Sequence, residues 1–377
     1  MSGRKRRLLL VAYPLLPVSD ESAGGAEQIL WTLERELAAR GWETEVAACA
    51  GSRVSGRLVV TGSAPTASDV FLECEREHAE RVLAACAQGD YALVLDHSGH
   101  FFRHVCPAGA RSGNASLPAA GARSPTFAKG GQIWATLAVL TTLHLPRELY
   151  GAEAFKGVDG SEAGKVWFHC VSESQLREFM DLPRMLGVVR NGIDVGRFVA
   201  SGNGDEKADY LLWLGRVCPE KAPHLAIAAA ERAGLPIVLA GQVYPFAWHE
   251  RYWEREVRPR IDGRRVRWVE LPTFAEKVKL LRQARGLLVT SLVGETTSLV
   301  ALEAMASGTA VVAFRRGALE EVVAEGTGYL VDGVEEMAAA CGRLGAIRGE
   351  DCRAWVEREF SARAMVDGYE RLIEELV

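Results

Sequence analysis

Two carboxylates eight residues apart, Glu295 and Glu303, stand in the stretch GETTSLVALEAMASG (294–308). Glu303 sits among Leu302, Ala304, Met305 and Ala306, where an ionised acid is costly unless it is paired or hydrogen-bonded. Thr296, Thr297 and Ser298 are N-cap residue types, so TTSLVALEAMA reads as a helix whose first N–H groups are free for an anion. At the helical rise, Glu303 lies roughly 12 Å beyond Glu295. A second group stands in LGRVCPEKA (214–222), where Gly215 ends a strand and Arg216 and Lys221 flank a short turn into a helix. Two cations beside a helix N-terminus make a seat for a diphosphate. Neither loop is a GxGxxG or Walker A sequence, which argues against a dehydrogenase or an NTPase. A ligand touching both acids would be elongated, with hydroxyls at two places and an anion between them, as in a nucleotide sugar. The plainer alternatives are a solvated loop acid, a helix acid paired with a nearby Lys or Arg, and ordinary surface cations.

The elements that must position these residues alternate along the chain. RLLLVAY (7–13) is a buried strand pattern, followed by a glycine-containing loop and the periodic helix AEQILWTLERELAAR stopped by Gly41. YALVLDH (91–97) and TLAVLTTLH (136–144) are further strands, with a long Ala/Gly/Ser/Pro-rich loop (107–131) between them. After the polar stretch RNGIDVGRFVASGNGDEKAD the alternation restarts with YLLWLG (210–215) and runs on to strand GYLV. Such βα repeats predict an α/β fold with two doubly wound, Rossmann-like domains facing a central cleft. The predicted boundaries are an N-terminal domain 1–190, a linker 191–208, a C-terminal domain 209–358 and a C-terminal helix 359–377.

A chain of 377 residues exceeds what a single core usually supports. Its 48% apolar and 25% charged residues are those of an ordinary globular protein, and a net charge of -5 gives no general pull toward nucleic acid. The block Arg4-Lys5-Arg6-Arg7 reads as a solvated terminus, leaving room for a peripheral membrane contact. The apolar run after it holds two prolines and is too short to span a bilayer. The eight cysteines contain no CxxC pair and suit reduced thiols, so a cytoplasmic location is expected. The aromatics of FAWHERYWEREV (246–257) read as helix core before a stacking platform, with Trp248 and Tyr252 the two that could reach the cleft.

The spacing of Glu295 and Glu303, the run EAMASGTAVV, the G-R-x-x-x-E-K of Gly215 to Lys221, and RNGID (190–194) together resemble the GT-B retaining glycosyltransferases of family 4. The resemblance implies that Gly215, Arg216 and Lys221 hold a donor diphosphate with the backbone around Ser298 and Leu299, and that Glu303 binds the ribose. It implies a catalytic role at the donor sugar for Glu295 and His144, and a glycine loop at Gly24-Gly25-Ala26-Glu27, with Gly25 near the diphosphate. The C-terminal helix would cross back onto the first domain. Glu27 and His97 become acceptor-side candidates. No metal and no cofactor is expected, the nucleotide sugar, a UDP-sugar first, being a co-substrate. Asp96, His97, His100 and His104 offer metal-like ligands, but the resemblance favours an acceptor role for His97 and local structural roles for the others. The chain has Thr296-Thr297-Ser298 and Glu270 where this family commonly has glycines. The acceptor is read as a glycan, a lipid-linked or a small molecule. Two alternatives stand beside a transferase: a nucleotide-sugar epimerase of the same architecture, and a non-catalytic nucleotide-sugar-binding subunit.

Overall fold

The computed structural model describes residues 7–22, 24–64, 71–105, 137–151, 154–155, 158, 165–200 and 207–377. The 107–131 loop and the Arg4–Arg6 part of the basic block lie outside them. Two compact units are present: Met1–Val189 with Val366–Val377, and Arg190–Met365.

The first unit is built on β1 (Arg7–Val11), β2 (Glu43–Ala48), β3 (Arg57–Val60), β4 (Leu93–Asp96), β5 (Ala138–Thr142), β6 (Lys165–Cys170) and β7 (Met185–Val188), in the order β3-β2-β1-β4-β5-β6-β7. The second is built on β8 (Leu211–Arg216), β9 (Ile237–Gln242), β10 (Val266–Glu270), β11 (Gly286–Val289), β12 (Val311–Phe314) and β13 (Gly328–Val331), in the order β10-β9-β8-β11-β12-β13. All pairings are parallel. Sheets covered on both faces need strands apolar on both faces, and Leu8, Leu9, Leu10 and Val11, like Leu211, Leu212, Val311 and Val312, are fully buried. In each sheet the strand order reverses beside the first strand, between β1 and β4 and between β8 and β11. Ligands of doubly wound sheets bind beyond the carboxyl ends of strands at such a reversal. The two doubly wound, Rossmann-like sheets read from the alternation are observed.

Two elements differ from the sequence expectation. The helix expected from Thr296 begins at Leu299 and runs to Ala306, because Ser298 takes a left-handed conformation (φ 71°). WHERYWEREV is α-helical only over Ala247–Tyr252 and then widens into a π-turn, Trp253–Val257.

The closing helix, Ala362–Leu376, packs through Tyr369, whose ring is fully buried in the first unit and whose hydroxyl meets Thr142 Oγ1 at 2.9 Å. Arg40 holds its acidic face through Asp367 (2.6 Å) and Glu370 (2.5 Å). Across the same unit, the helix Gly25–Ala39 is tied to the sheet by Glu34. This buried carboxylate accepts from Thr44 Oγ1 at 2.7 Å and from the backbone N–H groups of Ser55 (2.9 Å) and Gly56 (2.7 Å). Glu34→Ala strands all three donors and is expected to cost about 3 kcal/mol in urea denaturation. Glu34→Gln, which keeps an acceptor oxygen, should cost roughly half as much, and equal losses in the two variants would contradict the account.

Candidate functional site

In the second unit, two loops at the sheet's reversal point are stitched together by a backbone hydrogen bond and the Thr290 hydroxyl. Arg216 ends β8, the loop after it carries Cys218, Glu220 and Lys221, and the loop after β11 carries Ser291 and Glu295. Leu292 N–H donates to the Glu220 carbonyl at 2.8 Å, and Thr290 Oγ1 donates to the carbonyls of Lys221 (2.9 Å) and Ala222 (3.0 Å). The backbone of Glu295 is anchored from a third side. It pairs with Gly317, and its carbonyl accepts from Ala318 N–H at 2.7 Å. Gly317 sits at φ 56°, where a Cβ would stand 2.4 Å from the Glu295 carbonyl oxygen, so only glycine lets the chain pass.

With the loops fixed, the Lys221 ammonium meets Glu295 Oε1 at 2.5 Å, and Ser291 Oγ donates to the same oxygen. The Glu295 side chain is 9% exposed. Burial pulls its pKa upward. The Lys221 charge, the hydrogen bonds from Lys221 and Ser291, and the Arg216 guanidinium outweigh it, and the carboxyl titrates below its ordinary value. Arg216 is exposed, its guanidinium over the Tyr244 ring at 5.5 Å. Gly215, Arg216, Lys221 and Glu295 are thus gathered at one switch point, as their spacing suggested.

Glu303 is buried in the helix Leu299–Ala306 and ion-paired with Lys277 at 2.6 Å. The plainer reading of a helix acid with a basic partner therefore holds in this structure. Lys277 lies in the helix Phe274–Gln283, its ammonium over the Phe274 ring at 5.2 Å. No local pattern marks it, because it stands 26 residues from Glu303 and its helix reads only as amphipathic. The threonines expected to cap the helix do not. Thr297 is buried and accepts from Asn191 Nδ2 at 3.1 Å, and Ser298 is the N-cap without a side-chain cap bond, its Oγ buried and unpartnered. Their substitution for glycines closes backbone rather than capping it. The first-turn N–H groups of Leu299 and Val300 still lack a carbonyl behind them, as at any helix start.

In the first unit His144 follows β5 and its Nε2 lies 3.0 Å from His97 Nδ1 at the end of β4. Tyr369 stacks on His97 at 5.7 Å, and His97 Nε2 is buried without a partner. Burial lowers the pKa of His144 to about 3, with His169 adding to the shift, and holds that of His97 well below the usual value, so both rings are neutral at physiological pH. Asp96 turns inward, accepting from Ser98 N–H (2.9 Å), Ser98 Oγ (2.6 Å), Phe102 N–H (3.2 Å) and Thr141 Oγ1 (3.2 Å). It shapes the turn after β4, and His100 packs against Tyr13 at 5.5 Å. Gly25 opens the helix Gly25–Ala39, and Glu27 lies in its first turn, 5% exposed. The close approach falls one residue before Gly25. A Cβ at Gly24 would stand 2.0 Å from Glu27 Oε2, so Gly24 lets the carboxyl fold back over the helix start. Burial, opposed by a hydrogen bond to its own backbone N–H, raises the Glu27 pKa to about 7.

Of the aromatics, Trp248 is half-exposed and stacked on Phe246 at 4.7 Å, whereas Tyr252 is buried with its hydroxyl 2.6 Å from His224 Nδ1.

A two-domain α/β protein of GT-B type with a cationic seat at the second sheet's switch point is the class these features define. Residues 208–346 match the family described as glycosyl transferases group 1. The chain is 34% identical over 135 residues to D-inositol 3-phosphate glycosyltransferase of Corynebacterium efficiens, a match covering 33% of this chain and 31% of that protein. It is 36% identical over 186 residues to the protein of that name from Corynebacterium urealyticum, covering 44% of this chain and 43% of that one. The chain thus spans well under half the length of these curated relatives. Among solved structures, sucrose-phosphate synthase from Thermosynechococcus elongatus superposes with a TM-score of 0.76 at 20% identity, over 98% of this chain and 99% of that one. HepE of Anabaena in complex with UDP-glucose gives 0.71 at 15% identity, over 98% and 99%. At these identities the superpositions establish the fold.

Lys221→Met leaves the buried Glu295 carboxylate with Ser291 as its side-chain partner and is expected to destabilise the unit by about 3 kcal/mol. Adding Glu295→Gln should recover part of that loss, and additive losses in denaturation would refute the pairing. Glu295 ionises below its unfolded value, so its stabilisation is full above the unfolded pKa and is lost as pH falls through the folded one. The stability gap between the parent and Glu295→Gln should therefore close in acid. Glu27 behaves oppositely. Its folded pKa is raised, so it favours the native state below pH about 4.5 and loses that advantage as pH rises to about 7. Glu27→Gln should gain stability over the parent across that interval, by about 3 kcal/mol at most, read from melts across the pH range.

Proposed function

We propose that this protein transfers a sugar from a nucleotide sugar, a UDP-sugar first, to an acceptor hydroxyl with retention at the anomeric carbon. The observation that carries the reading is the Lys221–Glu295 pair beside Arg216 at the carboxyl ends of β8 and β11. A leaving nucleoside diphosphate gains negative charge as the glycosidic bond breaks. Fixed cations and the N–H groups of the helix starting at Leu299 stabilise that charge without waiting for solvent to reorganise. Arg216 and Lys221 can do this with no divalent metal at the diphosphate. Glu295 holds the Lys221 ammonium in place beforehand, and its carboxylate, ionised across the neutral range, favours an oxocarbenium-like transition state. Support also comes from the group 1 match and from HepE, whose structure holds UDP-glucose.

On this reading Glu303 binds the ribose hydroxyls, oriented by Lys277, and His144 is assigned to the donor sugar. A ring whose pKa is about 3 contributes a hydrogen bond there rather than a charge. Glu27 and His97 are assigned to the acceptor, where a carboxyl with pKa about 7 is suited to take a proton from a hydroxyl. The acceptor itself is a hydroxyl of a glycan, a lipid-linked or a small molecule. The cysteines described, including Cys49, Cys170 and Cys352, are free thiols, which suits a cytoplasmic enzyme.

A thermal-shift panel of UDP-, GDP- and ADP-sugars should show one nucleotide series raising the melting temperature. Turnover of that donor should fall at least about 100-fold in Lys221→Ala and fall strongly in Glu303→Ala. Product configuration at the anomeric carbon, read by NMR, should match the donor's. Near-parental turnover in both variants would overturn the assignment.

A further inference from the structure

The loop after β8 does more than carry Lys221. Cys218, Glu220 and His249 each point one donor atom to a common place, and the three atoms lie within 4.8 Å of one another. Among the described residues no other three His, Cys, Asp or Glu side chains meet in this way. The proposed transfer uses none of them.

Two of the three carry an unmet bonding demand. His249 is 2% exposed and its Nδ1 is buried with no hydrogen-bond partner, and Glu220 Oε2 is buried and likewise unpartnered. A buried polar atom left alone costs roughly 1–3 kcal/mol, and two at one place call for an occupant. Cys218 is fully buried. The ring of His249 is walled by Phe246 at 5.1 Å and Trp248 at 5.0 Å, so the place is lined by aromatics on one side and by the β8 loop on the other. The three donors are also held from behind. The Cys218 carbonyl accepts from Lys221 N–H (3.2 Å) and Ala222 N–H (3.1 Å), the Glu220 carbonyl accepts from Leu292 N–H, and His249 sits in the helix Ala247–Tyr252.

We propose that Cys218, Glu220 and His249 form a binding site for a divalent cation of the zinc class. One thiolate, one imidazole and one carboxylate are a borderline-soft donor set that suits zinc and disfavours magnesium and calcium. Donor atoms spread over 4.8 Å need to draw in by about 1 Å to reach bonding distance, which rotation of the Glu220 and His249 side chains supplies. Binding replaces the thiol proton of Cys218, so one proton passes to solvent for each ion bound, and the neutral imidazole gives none. The thiolate and the carboxylate together carry two negative charges. The loaded site is therefore neutral and does not repel the neighbouring Arg216. Three protein ligands leave a fourth position for water. The ion would staple the β8 loop to the helix Ala247–Tyr252 and so stiffen the residues between Arg216 and Lys221. This is a structural role, apart from charge stabilisation at the diphosphate.

The test uses the full chain dialysed against chelator, titrated with zinc chloride and separately with cobalt chloride. One equivalent of zinc is expected, with release of one proton and a rise in melting temperature that magnesium does not give. Cobalt should add a thiolate charge-transfer band in the near ultraviolet. Cys218→Ser should abolish that band, and His249→Gln and Glu220→Gln should each weaken zinc binding at least about tenfold. Glu220 is only half-buried, so Glu220→Gln serves if the other two variants fail to fold. Less than half an equivalent of zinc bound at micromolar metal would overturn the proposal. So would a cobalt band or an affinity that survives in Cys218→Ser and Glu220→Gln, which would place the ion at another thiol.

Discussion

A lysine from one loop and a glutamate from the next meet at 2.5 Å where the second sheet reverses its strand order, and much of the candidate site follows from what it takes to keep them there. An ion pair this poorly exposed is worth having only if its geometry is held, because desolvation of both charges opposes it. The holding is done by backbone groups together with the hydroxyls of Thr290 and Ser291. Leu292 and Thr290 bind the β8 loop to the β11 loop, Gly317 and Ala318 secure Glu295 from the far side, and Ser291 takes part of the carboxylate. On the proposed reading, an anion arriving at Arg216 would find a lysine already aimed, with its ordering entropy lost during folding instead of at binding.

The acid in the helix body is handled by the same rule at a different place. Glu303 is tolerated among Leu302, Ala304 and Met305 because Lys277 reaches it from the helix Phe274–Gln283. Each of the two acids thus has its own lysine. Neither lysine is near its acid in sequence, and each pair ties two segments of the second unit together. A carboxylate oriented by an ammonium on one side is a good acceptor for ligand hydroxyls on the other, so structural pairing and a ribose-binding role do not compete.

The first unit solves a different problem. His97 is buried and His144 is partly buried beside it, and two imidazolium ions so placed would repel each other where solvent screens them poorly. Both stay neutral, and one ring must then donate to the other. Tyr369, delivered by the C-terminal helix Ala362–Leu376, forms one wall of that arrangement, so the last turns of the chain take part in shaping the first unit's histidine pair. The carboxyl of Glu27 is likewise kept near the point of half-ionisation by burial, partly offset at its helix start.

The alternation of apolar strands with periodic helices in this sequence was enough to determine two parallel, doubly wound sheets, because a period of 2 or 3.6 and a closing glycine such as Gly41 are local properties of the chain. The motif residues Gly215, Arg216, Lys221 and Glu295 were legible for the same reason, each being close in sequence to a strand end. What the sequence left open depended on contacts across 22 or more residues. Lys277 as partner of Glu303, Lys221 as partner of Glu295, Gly317 under its backbone and the convergence of Cys218, Glu220 and His249 belong to this group. The start of the helix at Leu299 was misplaced because Thr297 binds Asn191, more than a hundred residues away, and Ser298 turns left-handed to allow it. Local patterning chose the elements. Only the tertiary structure decided which charges share a partner, since that is set by which strand ends the fold brings side by side.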